Sequence, residues 1–254
     1  MSATLPYPKL KSTPPLWREF PIYYPDSDGQ PMAENDPQYH CITDTRFALT
    51  QFLKATPDVY VGADLLVYFV KGDPTRSVAP DVLVAFGVRP GLRRSYKIWE
   101  EGKTPDVIFE FASEGTWEAD LGWKKGLYMG IGVKEYFLFD PSGDFFDPLL
   151  QGYRLSHNRA EPLSFLPAVR GELGLYSESL NLELWARPND DPDMPYVLRL
   201  YDPAAESWLL APAETEAARQ QAEIRATAEA TARQALESEL ARLQAELARL
   251  RGEG

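Results

Sequence analysis

The sequence predicts an α/β domain, a mixed β-sheet flanked by helices, followed by a C-terminal coiled-coil helix. Three observations carry that expectation. Between about residues 39 and 140, segments of helical period and runs rich in β-branched and aromatic residues follow one another as helix, three strands, strand, helix, strand. At Pro212 the composition changes abruptly to Ala, Glu, Arg, Gln and Leu. In the stretch from Phe109 to Lys125, FEFASEGTWEADLGWKK, an apolar strand carries one carboxylate, Glu110, and leads into a helix with a lysine pair.

Residues 1–37 hold eight prolines and the run YYPDSDGQP, which predicts an extended arm laid over the body. The body then runs over 38–211 and the helical tail over 212–254. From Tyr39 to Lys54 apolar residues recur mostly at three or four, as in a helix with one buried face. Strands are expected at 58–62, 64–70 and 81–87, punctuated by Gly62, Gly72, Asp73 and Pro74. A loop precedes another strand at 105–112. Thr116 is placed to cap the next helix, with Glu118 and Asp120 in its first turn and Gly130 and Gly132 at its end. VKEYFLFDP gives a strand near 134–139, and the shorter apolar runs of 145–210 predict hairpins that complete or cover the sheet. In the tail, Leu236, Leu240, Leu243, Leu247 and Leu250 stand at spacings of 4, 3, 4 and 3, the seam of a short coiled coil. About two heptads are marginal alone, so pairing in a homodimer or with a partner is expected of this helix.

Composition narrows the chemistry. A single cysteine, Cys41, excludes an internal disulfide, and with only His40 and His157 there is no Cys/His zinc constellation. Any metal must therefore be held mainly by oxygen. The N-terminal stretch lacks an uninterrupted apolar core of the signal-peptide kind and no apolar run reaches 18 residues, so a cytoplasmic protein is expected. The net charge of −12 argues against a generally basic nucleic-acid surface, and most of that excess lies on the body rather than on the tail. A DNA-binding face would be local, with Arg89, Arg93, Arg94, Lys97 and Lys103 as its candidates.

If the strands at 81–87 and 105–112 are antiparallel neighbours, as sequential strands often are, Asp81 lies beside Glu110 at one end of the sheet. Pleat parity puts Val107, Phe109 and Phe111 on one face and Asp106, Ile108, Glu110 and Ala112 on the other. Asp106 is about 14 Å along the strand from Glu110, too far to share an ion with it. Two converging, half-buried carboxylates repel, and a hard cation such as Mg²⁺ relieves both the repulsion and the lost hydration. Asp120, Lys124 and Tyr128 stand at i, i+4 and i+8 and form one stripe, which aims Lys124 at the strand end. Lys125 lies about 100° round the helix. The bland alternative is a turn aspartate, an exposed glutamate and an ordinary Asp120–Lys124 helix pair.

The blocks APDVLVAFGV, PDVIFEFAS and DLGWKKGLYMGIGVKEYFLFDP together resemble the Uma-type putative restriction endonuclease family, a branch of the PD-(D/E)xK nuclease superfamily. The resemblance covers about residues 30–205 and implies a restriction-endonuclease-like fold and Mg²⁺-dependent hydrolysis of DNA, with Mn²⁺ as a possible substitute. Pro80 and Asp81 match PD, and Glu110 matches the acidic residue of the motif. Two positions after Glu110, however, stands Ala112, followed by Ser113. The family's usual remedy is a lysine from the following helix in a D-x-x-x-K arrangement, here Asp120 and Lys124, with Lys125 as the rival. The resemblance thus implies Asp81 and Glu110 as metal ligands, the Phe111 carbonyl as a third, and Lys124 acting on the water. Two other expectations stand beside a nuclease: a catalytically silent assembly module that keeps the fold, and a metal-dependent hydrolase of another phosphate ester.

Overall fold

The computed structural model describes residues 22–27, 35–167 and 172–252. Most of the expected N-terminal arm lies outside these residues. Its described part, 22–27, packs on the body through Tyr24, whose ring meets Tyr68 and Trp99.

Helix α1 spans Asp36–Phe52, so it begins inside the segment expected to be arm. Asn35 caps it by accepting from the Gln38 N–H at 2.8 Å, and Pro37 occupies the first turn, where its missing N–H costs nothing. Strand β1 (Val59–Ala63) follows, but the expected strand at 64–70 shrinks to β2 (Val67–Tyr68). The reason lies in the left-handed backbone of Asp64, φ 46°, which turns the chain out of the first sheet. Next come β3 (Ser77–Val78), β4 (Val82–Phe86), β5 (Tyr96–Lys97), the short helix α2 (Ile98–Glu101) and β6 (Val107–Phe111).

The expected helix after Thr116 is interrupted. It comprises α3 (Trp117–Ala119), a stretch Asp120–Lys124 kinked at Gly122 and α4 (Lys125–Ile131). Gly122 adopts φ −98°, ψ −108° in the middle, a conformation open to a residue without Cβ. Thr116 makes no side-chain cap; its hydroxyl pairs with that of Ser113 at 2.8 Å. Gly132, in the left-handed conformation, ends α4 as expected. Strand β7 (Glu135–Phe139) then lies parallel to β6, joined to it by this helical crossover.

The hairpin β8 (Leu150–Ser156) and β9 (Arg159–Pro162) completes a six-stranded sheet in the order β1-β4-β6-β7-β8-β9. Its single parallel pair, β6 with β7, makes it mixed, as predicted. Strands β10 (Leu173–Ser177), β11 (Leu182–Pro188), β12 (Tyr196–Asp202) and β13 (Ser207–Trp208) form a second sheet, and β3, β2 and β5 a small third one. Helix α5 (Pro212–Leu250) closes the chain. Among the described residues no helix is long and apolar enough to cross a membrane.

The central sheet separates two apolar layers. On one face Val107, Phe109 and Phe111 join Cys41, Ile42 and Leu49 of α1 and Leu175, Leu184 and Leu200 of the second sheet. On the other, Ile108 and Ala112 join Tyr128 and Val133 of the crossover and Val67 and Tyr96 of the small sheet. Parity thus sorts β6 as the alternation of its side chains predicts.

Candidate active site at the end of the central sheet

Strands β4 and β6 pair antiparallel with Val82 opposite Phe109, which places Asp81 and Glu110 on the next rung. Two backbone contacts tie that rung together. The Phe111 N–H donates to Asp81 Oδ2 at 2.6 Å, and the Asp81 N–H points at Glu110 Oε2 at 3.4 Å. The two carboxylates therefore converge, as the strand order and parity predict.

Glu110 is 1% exposed on the crossover face, and the stripe of Asp120, Lys124 and Tyr128 meets it there. Lys124 Nζ stands 3.1 Å from Glu110 Oε2 and 2.7 Å from Asp120 Oδ1. The Tyr128 hydroxyl donates to Glu110 Oε1 at 2.5 Å. Asp120 is itself fully buried, and its backbone carbonyl accepts from the Tyr136 hydroxyl at 3.0 Å. Lys125 turns away to lie 4.4 Å from the centre of the Tyr153 ring. Of the two lysines, only Lys124 reaches the carboxylates.

Two carboxylates thus grip one ammonium, and the charge of Asp81 adds to their pull. Burial pushes Glu110 up to about 7; the Lys124 charge opposes that shift, Asp120 adds to it, and the Tyr128 hydrogen bond opposes it. Asp81 keeps some exposed surface as a residue, yet its carboxylate is enclosed, and burial with the neighbouring Glu110 charge raises it well above the usual range. Burial also raises Asp120 against the pull of Lys124. For Lys124 burial alone would favour the neutral amine, but Glu110 and Asp120 outweigh it and hold the proton more tightly than usual.

The Phe111 carbonyl belongs to the same place. Gln38 of α1, 4% exposed, donates its side-chain amide to that oxygen at 3.3 Å. Sequence reasoning assigned Gln38 nothing. Its only local signal is its place in the first turn of α1, three residues after the Asn35 cap.

A hard divalent cation suits this donor set: two carboxylates on one rung with protonation favoured by their crowding, and a carbonyl beside them. Among the described residues no three His, Cys, Asp or Glu side chains form a ready cage, so water would fill the remaining positions.

Asp106, on the same face of the same segment, stands apart. Lys103 and Lys134 pair with it at 2.7 and 2.8 Å, and the Phe86 N–H donates to it at 2.8 Å. Burial would raise its carboxyl, but these three donors hold it below the ordinary value. The local basic face expected at Arg89–Lys103 carries acidic partners of its own. Arg93 is clamped on Glu101 at 2.7 Å and lies over the Tyr60 ring; Arg94 pairs with Asp26, Lys97 with Glu100 and Lys103 with Asp106. Acidic neighbours contributed by α2, the N-terminal segment and β6's approach neutralise four of its five cations.

Residues 28–183 match the sequence profile of the family Uma2, described as "Putative restriction endonuclease", which covers more than half of the chain. No curated protein matches it. A crystal structure of a putative nuclease belonging to DUF820 from Anabaena variabilis ATCC 29413 is similar at 15% identity with a TM-score of 0.40, covering 54% of this chain and 74% of that one.

Proposed function

Because this chain belongs to the Uma2 family, we propose that it is a divalent-cation-dependent endonuclease that hydrolyses DNA phosphodiester bonds at the Asp81–Glu110 rung. The observation that carries this reading is the convergence of both carboxylates on one antiparallel rung with Lys124 at Glu110.

Asp81 and Glu110, with the Phe111 carbonyl, would hold Mg²⁺, for which Mn²⁺ can substitute. When bound there, such an ion supplies Lewis-acid stabilisation of charge on the phosphoryl oxygens. The protein side chains divide the remaining work. Lys124, held in line by Asp120, directs an ammonium N–H toward the attacking water and stabilises charge that develops on the phosphate. Tyr128 fixes Glu110 through Oε1 and leaves Oε2 facing Asp81 and Lys124. Gln38 fixes the strand end through the Phe111 carbonyl.

Cleavage of duplex DNA, single-stranded DNA and RNA with Mg²⁺ or Mn²⁺, wild type beside Glu110→Ala, tests the reading. Cation-dependent cleavage lost in the variant supports it. Equal activity in both, or cation binding untouched by Asp81→Ala and Glu110→Ala, sinks it.

A silent assembly module remains the second reading, favoured by the neutralised basic stretch and the acidic body. Under either reading the exposed leucines of α5 fit association with a second copy of the chain.

A further inference from the structure

Helix α5 is 39 residues long, about 58 Å at 1.5 Å per residue. Its root is fixed to the body. Arg199 grips Glu214 through two hydrogen bonds of 2.8 and 2.9 Å, and Glu214 also accepts from the Ala211 N–H at 2.8 Å. Beyond the root the helix leaves the domain, and Leu236, Leu240, Leu243, Leu247 and Leu250 remain between 52 and 79% exposed. A seam of this kind in water calls for an occupant.

The charges beside the seam select the occupant and its direction. The 4-3-4-3 spacing puts Leu240 and Leu247 at a positions and Leu236, Leu243 and Leu250 at d positions. Glu239 and Glu246 then take g positions, and Glu237, Gln244 and Arg251 take e positions. Two copies running parallel bring g of one helix to the following e of the other: Glu246 meets Arg251 twice, and Glu239 meets the neutral Gln244. Two copies running antiparallel bring g beside g and e beside e: glutamates at g then meet glutamates of the other helix, and only the register that sets Leu240 against Leu250 offsets this with Glu237–Arg251 contacts.

We propose that α5 pairs in parallel with α5 of a second copy, through the Leu236–Leu250 seam and reciprocal Glu246–Arg251 contacts. Parallel pairing sets both bodies at the same end of the rod. The helix between its root and Leu236 carries Ala, Thr, Gln, Glu and Arg with a single large apolar residue, Ile224, and no leucine seam, so the zipped part is distal and the bodies are free to splay. Taken with the nuclease reading, on which this consequence rests, the pair carries two candidate sites at the same end of the rod.

Mass in solution and cross-linking of the full chain test the proposal without reference to cleavage, so failure of the nuclease reading would not mimic failure here. At tens of micromolar the wild type should run at twice its 28.6 kDa, and Leu243→Lys with Leu247→Lys should run as a monomer with an unchanged body. Mild oxidation of Leu250→Cys should join two copies, because parallel d positions face each other; antiparallel pairing holds them about 15 Å or more apart. Glu246→Arg should weaken pairing about threefold to tenfold, and adding Arg251→Glu should restore it. A wild-type monomer, a dimer that survives the two lysines, or a Leu250→Cys dimer without cross-link overturns the proposal.

Discussion

The two ends of one segment, Asp106 before β6 and Glu110 within it, treat a buried carboxylate in opposite ways. Both are all but inaccessible, at 2% and 1% exposure, and both lie on the crossover face. Asp106 receives two lysines and a backbone N–H and is held below its ordinary pKa. Glu110 shares one lysine with Asp120, faces Asp81, and is pushed up to about 7. A fold that needs only to bury an acid surrounds it with cations, as at Asp106. An excess of acid over base, as at Glu110, marks a candidate functional site.

The largest effect expected from breaking this contrast is at the Glu110 end. Glu110→Ala or Asp81→Ala should cut cation-dependent cleavage by about a thousandfold or more, and Lys124→Ala by about 10²- to 10³-fold, measured as initial rates on labelled DNA. None of these should abolish folding as followed by circular dichroism. At the other end the effect should fall on stability alone. Asp106→Asn should lower unfolding free energy by about 1–3 kcal/mol in a urea titration, because its lysines lose a buried partner but can turn partly to water. Cleavage per folded molecule should not change.

Acidity separates the ends with opposite signs. Glu110, raised in the fold, contributes stability that is complete below the ordinary glutamate value of 4.5 and is lost as pH rises through about 7. Asp106, depressed in the fold, contributes stability present above the ordinary aspartate value of 3.8 and lost as pH falls through its lower folded value. Without divalent cations, melting temperature should therefore fall as pH rises from the ordinary value of 4.5 to about 7 in the wild type, and Glu110→Gln should flatten that slope. Asp106→Asn should keep the slope while melting lower throughout. A wild type with no such slope would remove the contrast. The smallest effect belongs to Lys125→Ala, which should leave the cleavage rate within about threefold, since its charge lies over Tyr153 and away from the carboxylates.

Much of this was legible because it depends on short-range periods. Alternation along β6 and the antiparallel pairing of sequential strands put Asp81 opposite Glu110, and a four-residue step brought Lys124 to the same place. What escaped depends on partners distant in sequence. Gln38 reaches the Phe111 carbonyl across 73 positions, and Arg94 finds Asp26 across 68. The latter contact, with those of Glu100, Glu101 and Asp106, turned a run of bases into an ion-paired surface. The apolar runs of 145–210 do announce hairpins that complete and cover the sheet, whereas nothing in the sequence announces the turn at Asp64 that truncates β2.

The kink at Gly122 makes chain length itself a determinant of direction. Gly122, at φ −98° and ψ −108°, breaks the helical path there, so the pieces before and after it meet at a kink. Deleting Gly122 would change neither charge nor any side chain of the site. It would instead change how the preceding Asp120 and Trp117 face α4, parting Asp120 from the Tyr136 hydroxyl and Trp117 from its stacking partner Phe145. For this segment, counting residues matters as much as naming them: a single-residue deletion is a change of direction.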